Sequence, residues 1–258
     1  MLITFVALYL LVTIGIGLVA ARRVHSSKDY LVAGRSLPLY MNVATVFATW
    51  FGAETVLSVS ATFAKDGLGG IPGDPFGAAA CLVIAALLFA RLFYRMNLLT
   101  IGDFYKLRYG KAVEVLTSVA ITLSYLGWTS AQMTALGLVI HVLSGGALEL
   151  NQAIMTGALV VMIYTIFGGM WSVAFTDLFQ TVVIVIGLTL VAMLVGDSAG
   201  GVGKVVEHAA AEGKFAFFPS DAPGWWAMAG AFFALAVGPP PQQDVFQRMT
   251  HAQDEQTA

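Results

Sequence analysis

Glu54 is the residue whose type and setting point most directly to chemistry, because it lies within a long stretch of mainly apolar residues. A carboxylate near the middle of a membrane is costly and is rarely left facing lipid. The small residues before it, Gly52 and Ala53, would let the backbone unwind and present carbonyl oxygens to a cation, as in many transporters. Glu54 is therefore predicted to line an ion path or gate. The alternative is that it hydrogen-bonds a neighbouring helix and locks the bundle.

Asp177 is a second acidic candidate, at the start of another apolar stretch. A carboxylate in the first turn of a helix is favourable against the positive end of the helix dipole. With Gln180 on the same face, Asp177 could also serve as a way-station for a cation that leaves towards the cytoplasm. Both interpretations stay open at this point.

Polar side chains recur in two further stretches. One set stands at offsets of 0, 3, 7 and 10, which places it on one helical face: Thr122, Tyr125, Thr129 and Gln132. A second set follows three prolines that must break a helix: Gln242, Gln243 and Asp244. The break indicates one half of a transport site, a re-entrant elbow or a plain helix end. Together with the unwinding predicted at Gly52 and Ala53, this break gives a pair of interrupted segments, and such a pair favours the transport site.

Other kinds of chemistry find no support in the sequence. The four histidines are not placed as facing ligands within the membrane, so neither haem nor a metal cluster is predicted. The single cysteine, Cys81, excludes an internal disulfide. The glycine-rich segment 67–77 follows no strand and is predicted to be a turn region and not a phosphate-binding loop. No concentrated basic patch indicates a nucleic-acid partner. We expect neither an enzyme nor an organic cofactor.

The elements that position these residues are membrane-spanning helices. Hydrophobic residues make up 58% of the chain, charged residues only 11%, and the mean hydropathy is +0.81. An ordinary soluble domain is roughly a quarter charged, so lipid must surround much of this chain. Seven spans of roughly 20 apolar residues are predicted, at about 2–21, 40–64, 76–96, 113–143, 152–170, 174–196 and 225–247.

The distribution of Lys and Arg predicts the orientation. With the N-terminus outside, ten of the 13 basic residues fall on the inner side and three on the outer side. We expect an integral protein of the bacterial inner (plasma) membrane with its C-terminus in the cytoplasm. The first stretch is interpreted as a retained anchor, since Arg22 and Arg23 follow it and no basic residue precedes it.

Four segments resemble the sodium:solute symporter family and lie in the family's order along nearly the whole chain. They are 29–38 (DYLVAGRSLP), 100–110 (TIGDFYKLRYG), 164–180 (YTIFGGMWSVAFTDLFQ) and 243–248 (QDVFQR). The resemblance implies an all-α polytopic membrane protein with the leucine-transporter-like inverted-repeat fold. One extra helix would precede the first repeat, and the chain would end after the first helix of the second repeat.

The resemblance also implies roles for individual residues. Backbone carbonyls of Ala48 and Phe51 would bind the coupling sodium ion, with Glu54 next to them and Asp177 on the inward exit route with Gln180. Thr55 stands where sugar-transporting relatives have a glutamine, and Trp50 replaces a smaller polar residue, so a sugar is not assumed. The predicted substrate pathway comprises Trp50, Thr55, Ser58, Tyr125, Thr129, Gln132, Gln242, Gln243 and Asp244.

The expected function is sodium-coupled symport of a small organic solute by alternating access, with this chain as an N-terminal piece that holds half of the site. The alternative is a transporter-like sensory module within a larger signalling protein. A third interpretation is a fragment that transports nothing by itself. The sequence names neither the solute nor the stoichiometry.

Overall fold

The computed structural model describes residues 2–257, with the side chains of residues 4–257. Within this range nearly all regular structure is helical, and β-pairing is limited to one isolated bridge between Leu37 and Ala252. Away from their ends, helices satisfy the backbone polar groups within one segment, which lipid requires. The helices are α1 (Leu2–Ala21), α2 (Ser27–Val32), α3 (Leu39–Trp50), α4 (Glu54–Asp66), α5 (Pro72–Met96), α6 (Ile101–Tyr109), α7 (Lys111–Leu143), α8 (Leu150–Ser198), α9 (Val202–Ala211), α10 (Ala222–Val237) and α11 (Gln243–Thr250).

Among the described residues, four helices are long and apolar enough to cross a membrane, or five if α3 and α4 count as one broken span. At 1.5 Å per residue, the 49 residues of α8 would extend about 74 Å, more than twice the hydrocarbon thickness. This helix is interrupted at Gly169, whose φ of 48° and ψ of −137° are not helical. The interruption lies beside the boundary between the predicted spans 152–170 and 174–196. The count of seven spans stays a prediction.

The predicted break in the second span is confirmed. Helices α3 and α4 are bent by 58° across residues 51–53. Helix α4 opens with a wide π-type turn over Glu54–Val59, a feature that is common at functional sites. The predicted break within the seventh span is also confirmed, since α10 ends at Val237 and α11 begins at Gln243.

Backbone contacts divide the chain into two compact units. The first comprises the chain up to Val46, Ala90–Leu178 and the chain from Gln242 onward. In this unit α7 and α8 cross closely at Gly137, where a Cβ atom would lie 2.7 Å from the Cα atom of Ile154. Helix α1 packs on α8 through its buried face, where the Ser172 hydroxyl donates to the Gly17 carbonyl.

The second unit comprises Phe47–Phe89 and Phe179–Pro241. In it, α10 packs against the start of α5, and a Cβ atom on Gly77 would lie 2.6 Å from the Phe232 carbonyl oxygen. The loop after α9 contacts the end of α4, because the Leu68 amide donates to the Lys214 carbonyl at 2.8 Å. Small residues thus allow close helix approach in both units, as in other membrane bundles.

Two glycines on α1 provide a test of this packing. A Cβ atom at Gly17 would lie 2.6 Å from Cβ of Tyr164, whereas at Gly15 nothing lies within 4 Å. We expect Gly17→Ala to destabilise the protein by about 1–3 kcal/mol, the usual cost of overpacking. The matched Gly15→Ala variant should be neutral. Thermal unfolding of both variants in detergent, followed by circular dichroism, checks this, and equal melting temperatures would contradict the packing of α1 on α8.

Candidate functional site

The break between α3 and α4 is the first part of the candidate site. A helix leaves its last four carbonyls without intrahelical partners, and Ala48 is among the last four residues of α3 while Phe51 follows directly. The Phe51 amide donates to the Phe47 carbonyl at 2.8 Å, and the Val56 amide donates to the Gly52 carbonyl at 3.3 Å across the break. The chain therefore turns where the resemblance places sodium-binding carbonyls.

Glu54 begins α4 directly after the break, and its side chain is exposed. Within residues 2–257 its carboxylate makes no ion pair or side-chain hydrogen bond, so no contact in this part of the chain supports the helix-locking interpretation. The assignment of Glu54 to an ion path stays a prediction.

Thr55 has an acidic partner that sequence reasoning did not identify. Its hydroxyl donates to the Asp74 carboxylate at 2.7 Å, and its Oγ1 also lies 3.3 Å from the Trp50 carbonyl oxygen. Asp74 is half-buried in the glycine-rich segment that was interpreted as a turn region. A cavity of about 280 Å³ lies beside this pair and is also lined by Ser58 and Thr62. The second unit thus places a carboxylate and several hydroxyls close to the break.

The polar face predicted on α7 meets different environments along its length. Tyr125 is half-buried, with its ring 6.3 Å from that of Trp128. Thr129 is exposed and Gln132 is half-buried. Among the predicted pathway residues on α7, Tyr125 contacts the first turn of α11.

Polar side chains of helix α11 make hydrogen bonds to other helices of the first unit. The Tyr125 hydroxyl donates to the Asp244 carboxylate at 2.5 Å and accepts from the Asp244 amide at 3.0 Å. Gln243 accepts from the Ile101 amide at 2.8 Å, at the start of α6. Gln247 donates to the Leu31 carbonyl at 3.1 Å. These contacts connect α11 to three other helices of the first unit.

Asp177 is almost fully buried, and its charged partner is Arg248 of α11. The guanidinium Nη2 lies 3.9 Å from the Asp177 Oδ2 atom, and both side chains are nearly inaccessible. Arg248 also contacts the Met170 sulfur at 3.3 Å and is attracted by Asp244. Burial without a partner would be costly for either charge. Asp177 lies within α8, eight residues after the interruption at Gly169, so its interpretation as a carboxylate in the first turn of a helix is wrong. Gln180, three residues on, is half-buried.

His251 forms a third buried polar contact, just after α11. Its Nε2 atom lies 2.6 Å from the Asn42 side-chain oxygen and 3.3 Å from the Thr45 hydroxyl. That hydroxyl donates to the Asn42 carbonyl at 2.9 Å, which favours a neutral imidazole protonated on Nε2. Nδ1 is buried and has no partner among the described residues. The sequence predicts no such contact for His251, because both partners lie more than 200 positions before it in the chain.

An exposed ion pair holds the end of the described chain. Arg95 on α5 donates to both carboxylate oxygens of Glu255, at 3.0 and 2.7 Å. These hydrogen bonds hold the pKa of Glu255 below its ordinary value. The Tyr94 hydroxyl adds a bond to the Gln253 carbonyl at 3.1 Å. The segment after α11 is therefore attached to the polar end of α5.

Comparison with known proteins places these features in context. The sodium:solute symporter family matches residues 30–258. The human high affinity choline transporter 1 is 26% identical over 96% of this chain and 44% of its own length. The sodium/glucose cotransporter of Vibrio parahaemolyticus is 29% identical over 81% of this chain and 40% of its own length.

Among solved structures, a Na+-coupled sialic acid symporter in a substrate-bound outward-open state superposes on all of this chain and on 55% of its own, with a TM-score of 0.81 and 20% identity. The chain therefore has the all-helical leucine-transporter-like fold. It spans less than half the length of the two curated relatives named above.

Proposed function

Because this chain belongs to the sodium:solute symporter family, we propose that it forms part of a sodium-coupled symporter that moves a small organic solute by alternating access. Its relatives are transporters, and the chain is not an enzyme. The break between α3 and α4 is the observation that carries the proposal, because irregular backbone at membrane depth is tolerated where it lines a cavity. Discontinuous helices of this kind form the ion and substrate sites of secondary transporters.

The coupling ion is proposed to be sodium, bound in part by the backbone carbonyls of Ala48 and Phe51. Hard cations such as sodium favour oxygen ligands, and the end of α3 leaves carbonyls available. Two carbonyls are too few for a sodium ion, so further oxygen ligands must complete the site. Glu54 is proposed to line the ion path or gate beside the break. Asp177 and Gln180 are proposed to lie on the inward exit route.

The solute is proposed to pass residues on the broken segments and on α7. The set comprises Trp50, Thr55, Ser58, Tyr125, Thr129, Gln132, Gln242, Gln243 and Asp244. Thr55 and Asp244 already have partners in Asp74 and Tyr125, so solute contact there would require an exchange of hydrogen bonds. We add Asp74 to the proposed pathway. Its carboxylate favours a cationic or uncharged solute over an anionic one, because like charges repel.

The membrane is proposed to be the bacterial inner membrane, with the N-terminus outside and the C-terminus in the cytoplasm. Ten basic residues on one side against three on the other support this orientation. No observation on the described residues favours the sensory module over a carrier.

Glu54 offers a direct test of the ion path. If its carboxylate attracts sodium, Glu54→Gln should raise the sodium concentration for half-maximal uptake about tenfold, equivalent to about 1.4 kcal/mol. The matched control is Glu149→Gln, which removes an exposed carboxylate at the start of α8. Sodium titrations of solute uptake in proteoliposomes check this. An unchanged sodium dependence in Glu54→Gln would remove Glu54 from the path.

A further inference from the structure

A groove on the surface of the first unit lies between α1 and the part of α8 that follows Gly169. It encloses about 490 Å³ and is open along one side. Its α1 wall consists of residues at helical spacing, with Phe175 of α8 opposite. The lining residues that matter here are Val12, Gly15, Ile16, Val19, Arg23 and Phe175.

Gly15 leaves space in the groove, because nothing lies within 4 Å of a Cβ atom added there. Its length matches one leaflet of a bilayer. From Val12 to Arg23 the helical rise is about 16 Å, and half of the hydrocarbon core is about 15 Å. If α1 spans the membrane, the apolar wall would therefore reach from near its middle to its polar boundary.

A cation lies at the polar end of the groove. The Arg23 guanidinium lies over the rings of Trp171 and Phe175, with its carbon atom 5.0 and 5.1 Å from the two ring centroids. These contacts involve the flat face of the guanidinium. Its N–H donors point outward in the guanidinium plane and take no part in them. Within residues 2–257 the side chain of Arg23 has no hydrogen-bonded or ion-paired acceptor. A guanidinium of this kind matches the oxygens of a phosphate in bidentate geometry.

The charge around this end favours an anionic ligand. Arg22 and Lys28 lie within five positions of Arg23 in the sequence and add two positive charges to this segment, and the carboxylate of Asp29 already accepts from the Ser26 hydroxyl and from the His25 amide. Basic side chains at the membrane surface attract anionic lipids by about 1 kcal/mol each.

We propose that this groove is a binding site for one anionic phospholipid, whose acyl chain lies along α1 from Val12 to Val19 and whose phosphate is bound by Arg23. The site is independent of the proposed transport pathway, because none of its residues belongs to that pathway. A bound lipid would hold α1 against α8 at the boundary of the membrane.

Native mass spectrometry of the delipidated, detergent-purified chain tests the proposal. Phosphatidylglycerol and phosphatidylcholine with identical acyl chains are the probes, because both contain a phosphate and only the first carries a net negative charge. We expect retention of one phosphatidylglycerol with a preference of about fivefold over phosphatidylcholine, the factor for one basic side chain at an anionic surface.

Matched variants separate the two parts of the site. Arg23→Gln should abolish the preference, whereas Arg22→Gln should keep at least half of it. Gly15→Leu should fill the groove and lower retention of both lipids, whereas Ala7→Leu, which places the same side chain at an exposed site outside the groove, should not. Circular dichroism melts confirm that each variant is folded. Excess inorganic phosphate should fail to displace the lipid, because it cannot occupy the apolar groove.

Three results would overturn the proposal. They are equal retention of the two lipids by the unmodified chain, equal losses in Arg23→Gln and Arg22→Gln, or retention by Gly15→Leu that matches Ala7→Leu. Loss of sodium-driven uptake in the Glu54 variant would have no bearing on these outcomes, so failure of the lipid site and failure of the proposed transport function are distinguishable.

Discussion

Replacing Arg248 with Met is expected to lower the free energy of unfolding by about 3–5 kcal/mol, the usual cost of leaving one member of a buried ion pair without its partner. Asp177 would then be buried with no cation, because Arg248 is the charged group that faces it at 3.9 Å. Asp244 would lose the attraction of the same guanidinium. Unfolding in denaturant, followed by tryptophan fluorescence in detergent, measures the effect.

The partner variants give the expected order. Asp177→Asn should cost less than Arg248→Met, because Arg248 keeps its attraction to Asp244 and its contact with Met170. The double variant Asp177→Asn/Arg248→Met should recover at least half of the loss, since buried pairs are often replaced by neutral groups at little cost. Additive losses in the double variant would show that the two side chains do not interact.

Replacing Gly169 with Ala is expected to destabilise the first unit by about 2–6 kcal/mol, combining backbone strain and overpacking of about 1–3 kcal/mol each. The φ of 48° and ψ of −137° at Gly169 are accessible almost only to glycine. An added Cβ atom would also lie 2.7 Å from the Tyr30 ring. The fraction of monodisperse protein in size-exclusion chromatography and the melting temperature measure the effect.

Gly187→Ala is the matched control on the same helix. Nothing lies within 4 Å of its added Cβ atom, and alanine is the better helix former. It should leave the melting temperature unchanged or raise it. A Gly169→Ala variant as stable as Gly187→Ala would mean that the interruption of α8 is not required for the fold.

The membrane fold and both broken segments could be predicted from local sequence. Composition alone indicates helices in lipid, because no other backbone arrangement satisfies itself there except a closed barrel. The helix breaks arise locally, from Gly52 with Ala53 and from the prolines after Gly238. These residues change the backbone conformation next to them, so the breaks do not depend on contacts with distant parts of the chain. For the same reason the interruption at Gly169 lies close to a predicted span boundary.

The partners of the polar residues could not be predicted in this way. Asp177 and Arg248 are 71 positions apart, and Tyr125 and Asp244 are 119 positions apart. Each side chain looks like an unpaired functional group until tertiary structure brings its partner close. His251 illustrates the same limit, because its contacts with Asn42 and Thr45 become visible only in the folded chain.

Uptake by variants of the ion pair would distinguish two roles for Asp177. If it serves only to stabilise α11, Asp177→Asn and Arg248→Met should change uptake in proportion to their loss of folded protein. If it lies on the ion's exit route, Asp177→Asn should change the sodium dependence of the protein that remains folded, while Arg248→Met keeps the carboxylate and changes it less.

Sodium-driven solute uptake tests the proposed function most directly. The protein would be reconstituted in proteoliposomes, both as the 258-residue chain and as any longer product of the same gene. Uptake of a labelled panel that includes choline, glucose and sialic acid would be measured with an inward sodium gradient and with an equal potassium gradient. We predict uptake of at least one solute with sodium only, coupled to entry of labelled sodium, in the preparation that carries the complete site. Equal uptake with sodium and potassium, or no solute-dependent sodium entry in either preparation, would contradict sodium-coupled symport.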